Sequence, residues 1–371
     1  MEKAERDRPL RRGWTTGTCA AAASRAAYQA LLTGAFPDPV PVALPGVAPH
    51  GGARPEFALA IGELGPGYAK AGIVKDAGDD PDVTHGALIV STVRLGAQGS
   101  GVIFRAGEGV GMVTRAGLPI PPGEPAINPT PRAMIRAAIA EVAALHGGTG
   151  DAIVEISIPG GEKITERTLN GRLGVVGGLS ILGTTGIVTP YSCAAWIHSI
   201  HRGIDVARAA GLDHVAGATG ATSEAAVARL YGLQDQALID MGDFVGGMLK
   251  YLRRHPVAKV TVAGGMGKMT KLGQGMLDLH SRRGEVDLGW LAERAIAAGA
   301  DAALGRRVAD SNSAMEAFGH ALSAGIDLPG EVAKAAWRTA AQVLGDGTEL
   351  EIAIFDRDGG LLARTGFRAA H

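Results

Sequence analysis

In the second half of the chain, short strand-like runs alternate with amphipathic helical segments, and this restricts the fold more than any other feature. From residue 192 the order is helix 192–210 closing at Gly211, strand 214–218, helix 223–231, strand 237–241, helix 244–254 and strand 259–263. A helix around 269–280 follows, then two or three helices over 288–324 and 331–344. Strands separated by helices of roughly 10–15 residues predict parallel βαβ units with right-handed crossovers. A hairpin, 349–355 with 361–364, closes the chain through the turn Asp356-Arg357-Asp358-Gly359-Gly360.

The first half has another rhythm. Thr15 or Thr16 caps a helix over 20–32 that stops at Gly34. Runs 41–44, 57–63, 68–74, 87–95, 101–105 and 109–114 are short, β-rich and divided by Gly, Pro or Asp, as in an antiparallel meander or a mixed sheet. Pro129 and Pro131 open a helix over 132–146, and a strand over 152–158 follows. The expected fold class is therefore α/β in two domains. Residues 1–178 form an α+β domain with a mixed or antiparallel sheet, and residues 179–371 a Rossmann-like parallel α/β domain. The boundary falls in the glycine-rich stretch 171–186. A length of 371 residues suits two such cores.

Composition removes other classes. The net charge of −1 lacks the basic excess of a nucleic-acid binder. Cys19 and Cys193 form neither a disulfide framework nor a CxxC zinc motif. The charged residues 1–12 carry no apolar run of a secretory signal, and no stretch of about 18 apolar residues exists for a membrane span. The expectation is a cytoplasmic α/β protein without nucleic-acid or membrane partners. Its oligomeric state is open, a homo-oligomer included.

Three places invite chemistry. The loop Lys75-Asp76-Ala77-Gly78-Asp79-Asp80-Pro81-Asp82-Val83-Thr84-His85-Gly86 concentrates carboxylates, a lysine and a histidine between two strands. It reads either as a solvated acidic turn or as a shaped site, and it lacks the spacing of an EF-hand. Turns after the predicted parallel strands, Gly217–Glu224, Met241–Asp243 and Gly264–Lys268, are rich in small residues, which let a ligand approach backbone and helix N-termini. Neither a P-loop nor GxGxxG appears there. Thr222 or Ser223 serves equally as a helix cap. His198 and His201 share a helix but lack a third ligand, and Cys19 near a helix start reads as a packing residue before a nucleophile. Thr15-Thr16-Gly17 is echoed by Thr184-Thr185-Gly186, which reads as two similar strand-to-helix turns.

Four segments together carry a resemblance: Leu10–Ala22, the Lys75–Gly86 loop, Gly109–Thr114 with Glu124–Arg132, and Thr168–Gly186. In order and separation they are similar to the cobalt-precorrin-5B (C-1)-methyltransferases of the anaerobic cobalamin pathway. The resemblance implies S-adenosylmethionine as methyl donor, a cobalt-containing tetrapyrrole as substrate, and no protein-bound metal, because cobalt arrives with the substrate. Under it, Thr219, Gly220, Thr222, Gly264 and Gly265 are expected to bind the donor. Arg11, Arg12, Thr15, Thr16, Lys75, Arg132, Arg172, Thr184 and Thr185 are expected to hold substrate carboxylates. Asp79 and Asp80 are expected to stabilise positive charge during transfer, and His85 to take up a proton. The alternative is an NAD(P)-dependent oxidoreductase on the same α/β pattern.

Overall fold

The computed structural model describes residues 9–45 and 54–370; the first eight residues of the charged N-terminal stretch lie outside them. The chain folds as two compact units, Met1–Ser192 and Cys193–His371. It is a mixed α/β protein.

In the first unit the sheet runs in the order Ile61–Gly65, Tyr68–Val74, Leu88–Leu95, Ala152–Ser157, Val102–Ala106. All neighbours are antiparallel except the last pair, which is parallel. The mixed alternative therefore holds: from Ala106 the chain returns through the helix Pro129–His146 before entering Ala152–Ser157. The helix Thr16–Thr33 packs on that sheet and on Pro129–His146. Fourteen of its eighteen residues are buried, which explains why alanine fills it on every side instead of one stripe. Thr15 caps it through Oγ1, and Gly34 closes it in the left-handed conformation. A Cβ at Gly17 would stand 2.6 Å from Pro131 Cγ, so the two helices meet there only because this residue is glycine.

In the second unit four parallel strands stand in the order Leu238–Asp240, His214–Ala218, Lys259–Gly265, Glu349–Phe355. Leu361–Arg364 and Arg368–Ala369 add antiparallel to Glu349–Phe355. Helix Ala221–Tyr231 covers one face, with Ala226 and Val227 in one cluster with Ala216, Ala263 and Ala353. The larger core lies on the other face, where Leu249, Leu291 and Val332 join Val260, Val262 and Ile352. From His214–Ala218 the chain goes to one side, then returns to Lys259–Gly265 on the other. The winding direction therefore reverses between these two neighbours.

Three expectations need correction. The boundary lies at residue 192 instead of 178, because residues 179–188 belong to the first unit. Leu179 and Ile181 are buried in its core, and Ile187–Val188 pairs antiparallel with Gly13–Trp14. Next, Thr184-Thr185-Gly186 opens no helix. Its Gly186 carbonyl accepts the Thr15 amide at 3.1 Å and the Thr18 hydroxyl at 2.7 Å. The two echoed segments are thus partners in one junction. Finally, the helix expected over 269–280 is Met266–Gly273, and Gly275 at φ +94° turns the chain away.

Candidate functional site

A cavity of about 690 Å³ opens in the second unit where the winding direction reverses. It lies at the carboxyl ends of the parallel strands, the usual ligand position in open α/β sheets, and has the size of a small-ligand site. Three helices begin at its wall: Ala221–Tyr231 after Gly220, Met266–Gly273 after Gly265, and Ala314–Ser323 after Ser313. Gly220 is extended (φ 171°), and neither it nor Gly265 or Gly267 has any atom within 4 Å of where a Cβ would stand. These glycines keep space open instead of relieving a clash.

The wall is chemically mixed. Met266, Val286, Met315 and Phe355 are apolar, Glu285 and Asp356 carry carboxylates, and Lys268, Lys271 and Arg357 carry cations. Lys268 Nζ is already engaged, 2.9 Å from the Thr219 carbonyl and 3.0 Å from Asp243 Oδ1, so it ties together the ends of three strands. Lys271 Nζ donates to the Leu279 carbonyl. Of the residues expected here, Thr219, Gly220, Thr222 and Gly265 line the cavity and Gly264 does not. A Cβ at Gly264 would meet Met269 Cε at 2.6 Å and Thr219 Oγ1 at 2.8 Å, so its smallness serves packing. Ser223 turns back on the Gly220 carbonyl at 2.9 Å. Sequence reasoning missed Glu285, Ser313 and the Phe355–Arg357 wall. Ser313-x-x-Glu316 was a readable cap signal, whereas nothing local marked Glu285.

The Lys75–Gly86 loop of the first unit is held largely by its own charges. Lys75 is 1% exposed, with Nζ 2.6 Å from Asp82 Oδ2. Asp82 Oδ1 accepts the Thr84 amide at 2.8 Å and hydroxyl at 2.6 Å. Burial alone would raise the Asp82 carboxyl, but Lys75 and Thr84 outweigh it and hold the group below its usual value. Asp76 pairs with Arg11 and accepts the Gly78 amide, which brings its carboxyl down to about 2. Asp79 accepts the Arg11 amide at 2.6 Å, and Asp80 the Tyr191 amide at 2.8 Å. Backbones touch here: a Cβ at Gly13 would fall 2.0 Å from the Ala77 carbonyl carbon, and one at Gly78 2.1 Å from the Arg11 carbonyl oxygen.

These contacts change several expected roles. Lys75 is a buried partner of Asp82 and presents no cation outward. Thr15 and Thr16 are buried, their hydroxyls bonded to Thr18 and Leu182 respectively. Arg132 gives Nε to the Ile127 carbonyl at 2.8 Å, pairs with Glu124 and lies over the Phe104 ring. His85 accepts the Ala77 amide through Nδ1 at 3.1 Å, so its neutral ring carries the proton on Nε2. Arg12, Asp79, Thr184 and Thr185 are exposed, and Arg172 is half-buried.

Elsewhere, His201 stacks on Tyr251 at 3.9 Å, and burial lowers the pKa of both His198 and His201. Cys19 and Cys193 are free thiols. Burial pushes Cys19 up to about 12, which ends its candidacy as a nucleophile. Among the described residues no three His, Cys, Asp or Glu side chains converge as metal ligands. Likewise, no described helix is long and apolar enough to cross a membrane.

Fold and cavity together define an α/β protein with a cavity of small-ligand size at the carboxyl edge of a parallel sheet. The family model described as CbiD matches residues 3–190, and the model described as CbiD, C-terminal domain, matches residues 278–366. A cobalt-precorrin-5B C(1)-methyltransferase of a Bradyrhizobium species is 64% identical over 96% of this chain and 94% of its own length. Proteins of the same name from Methylorubrum extorquens and Agrobacterium fabrum are each 62% identical, over 95% and 98% of this chain and 97% and 94% of theirs. A crystal structure of a cobalamin biosynthesis protein (cbiD) from Archaeoglobus fulgidus shares 26% identity, covering 74% of this chain and 83% of its own, with a TM-score of 0.40. The chain belongs to the CbiD family.

Proposed function

We propose that this protein is a cytoplasmic enzyme that moves a methyl group from S-adenosylmethionine to C-1 of cobalt-precorrin-5B, yielding cobalt-precorrin-6A in anaerobic cobalamin biosynthesis. The observation that carries the reading is 64% identity, over 96% of the chain, to a protein of that name. The oxidoreductase alternative has no comparable support.

The second unit, on this proposal, is Rossmann-like and takes the donor in its cavity. The residues present suit a zwitterionic nucleoside. Apolar walls suit a purine, Glu285 or Asp356 accepts from ribose hydroxyls, and backbone N–H groups at the helix starts donate to an α-carboxylate. Gly220, Gly265 and Gly267 leave room that side chains would fill. When bound, the donor supplies an electrophilic methyl on sulfur. The protein's own work is to hold it in line with a nucleophilic ring carbon, at about 3–3.5 Å, and to keep water out. Cobalt travels with the substrate, and no step asks for a metal held by the protein. In the first unit, Arg12, Asp79, Thr184 and Thr185 are the groups we propose to meet substrate.

Incubation with methyl-labelled S-adenosylmethionine and cobalt-precorrin-5B tests the reading. It requires label in the tetrapyrrole and release of S-adenosylhomocysteine. Label-free tetrapyrrole under conditions where both ligands bind would sink it. Donor titration in the presence of a chelator should match the titration without one.

A further inference from the structure

Helix Cys193–Ala209 begins with an exposed apolar turn, Cys193 to Trp196, at the end of strand Leu238–Asp240, which neighbours the strands that carry the cavity. Trp196 is 45% exposed, yet its ring is fixed. The indole N–H donates to the Asp240 carbonyl at 3.1 Å. The Nε1–Cε2–Cζ2 side of the indole lies against Gly242, where a Cβ would come 3.3 Å from Cζ2, and Phe244 supports it with centroids 6.4 Å apart. Gly242 has φ +53°, a left-handed turn that carries the backbone beneath the ring. An aromatic held by its polar tip and left half-exposed is built as a contact surface.

Its position gives that surface an occupant. Asp240 pairs in register with Ala218, and Gly242 donates to the Ala218 carbonyl at 3.1 Å. The next residues along each loop, Asp243 and Thr219, share Lys268. Trp196 thus stands over the strand adjoining the one that leads to Thr219 and Gly220, about 5 Å away across the sheet. Methyl transfer brings acceptor carbon and donor methyl within about 3–3.5 Å. A donor in the cavity therefore draws the acceptor to its mouth, and a ring system far wider than one carbon must spread over the neighbouring surface.

We propose that Trp196 is the stacking platform for the tetrapyrrole face, an inference that rests on the donor occupying the cavity. Cys193, Ala194 and Ala195 are exposed and small enough to leave the ring's approach clear.

The test uses the full chain with two probes, S-adenosylhomocysteine and cobyrinic acid as a cobalt tetrapyrrole, titrated separately by calorimetry. Trp196→Ala should weaken cobyrinic acid about tenfold and leave S-adenosylhomocysteine within about twofold, while Trp196→Phe recovers most of the loss and keeps the packing on Gly242. Cobyrinic acid bound by folded Trp196→Ala as tightly as by the parent overturns the platform. Gly220→Val tests the underlying reading by itself. Unchanged S-adenosylhomocysteine affinity in that variant removes the cavity as donor site, and the platform with it. Weakened affinity there, with no effect in Trp196→Ala, removes the platform alone.

Discussion

Lys75 Nζ lies 2.6 Å from Asp82 Oδ2, and the lysine side chain is 1% exposed. The pair closes the loop that leads from Tyr68–Val74 to Leu88–Leu95, and the Lys75 amide and carbonyl add bonds to Ala87 and Gly86. Removing one partner of a buried pair leaves an uncompensated charge. Lys75→Met should therefore lower stability by about 3–5 kcal/mol in denaturant titration. An unchanged midpoint would mean the loop is held by its backbone bonds alone.

The same loop sets an acid limb. Asp76 and Asp82 both have folded pKa values below the usual carboxylate range, Asp76 at about 2. Their stabilisation is complete above the unfolded value, about 3.9, and is lost as pH falls through the lower folded values. Unfolding free energy should decline from about pH 5 downward. In Asp82→Asn the decline should be shallower. Equal slopes for parent and variant would show that Asp82 titrates alike in both states.

Much of this fold was legible because the signals were local. Tyr68–Val74, His214–Ala218 and the closing hairpin fall where periodicity and turn residues place them. The errors came from tertiary contacts. Nothing local to Leu179 or Ile181 says which core they enter, so the boundary was set too early. Thr-Thr-Gly looks alike at both occurrences, yet one caps a helix and the other supplies its Gly186 carbonyl to that cap.

The candidate site divides in the same way. Small residues at strand ends pointed to Thr219, Gly220, Thr222 and Gly265. Glu285 and Arg357 reach the same cavity from distant segments that show no pattern of their own. In the charged loop the sequence displayed the right residue types, but only the folded loop pairs Lys75 with Asp82 and brings the Ala77 amide to His85 Nδ1.

The two thiols should react very differently. Cys193 is exposed, whereas burial takes Cys19 up to about 12. Iodoacetamide at pH 8 should label Cys193 in the native protein and reach Cys19 only on unfolding, as peptide mapping by mass spectrometry would read. Rapid native labelling of Cys19 would contradict the packing of helix Thr16–Thr33.

Gly220 and Gly264 should fail in opposite ways. A Cβ at Gly220 has no protein atom within 4 Å and the backbone is extended, so in Gly220→Val stability should hold while donor affinity falls about tenfold or more. Valine at Gly264 drives into Met269 and Thr219, and overpacking of this kind costs about 1–3 kcal/mol. Thermal melts paired with S-adenosylhomocysteine titrations separate the two. A stable Gly264→Val variant with weak donor binding would return that glycine to the site.

Asp79 and Asp80 each accept one backbone amide, from Arg11 and Tyr191, and each keeps a second oxygen. If these carboxylates face the positive charge of methyl transfer, they lower its barrier; if they only shape the turn, their charge is irrelevant to rate. Asparagine retains an acceptor for the amide and removes the charge. Asp79→Asn and Asp80→Asn should thus melt near the parent temperature and slow single-turnover methylation about tenfold, equivalent to about 1.4 kcal/mol of transition-state stabilisation. Parent rates in both aspartate variants would assign those carboxylates to the turn.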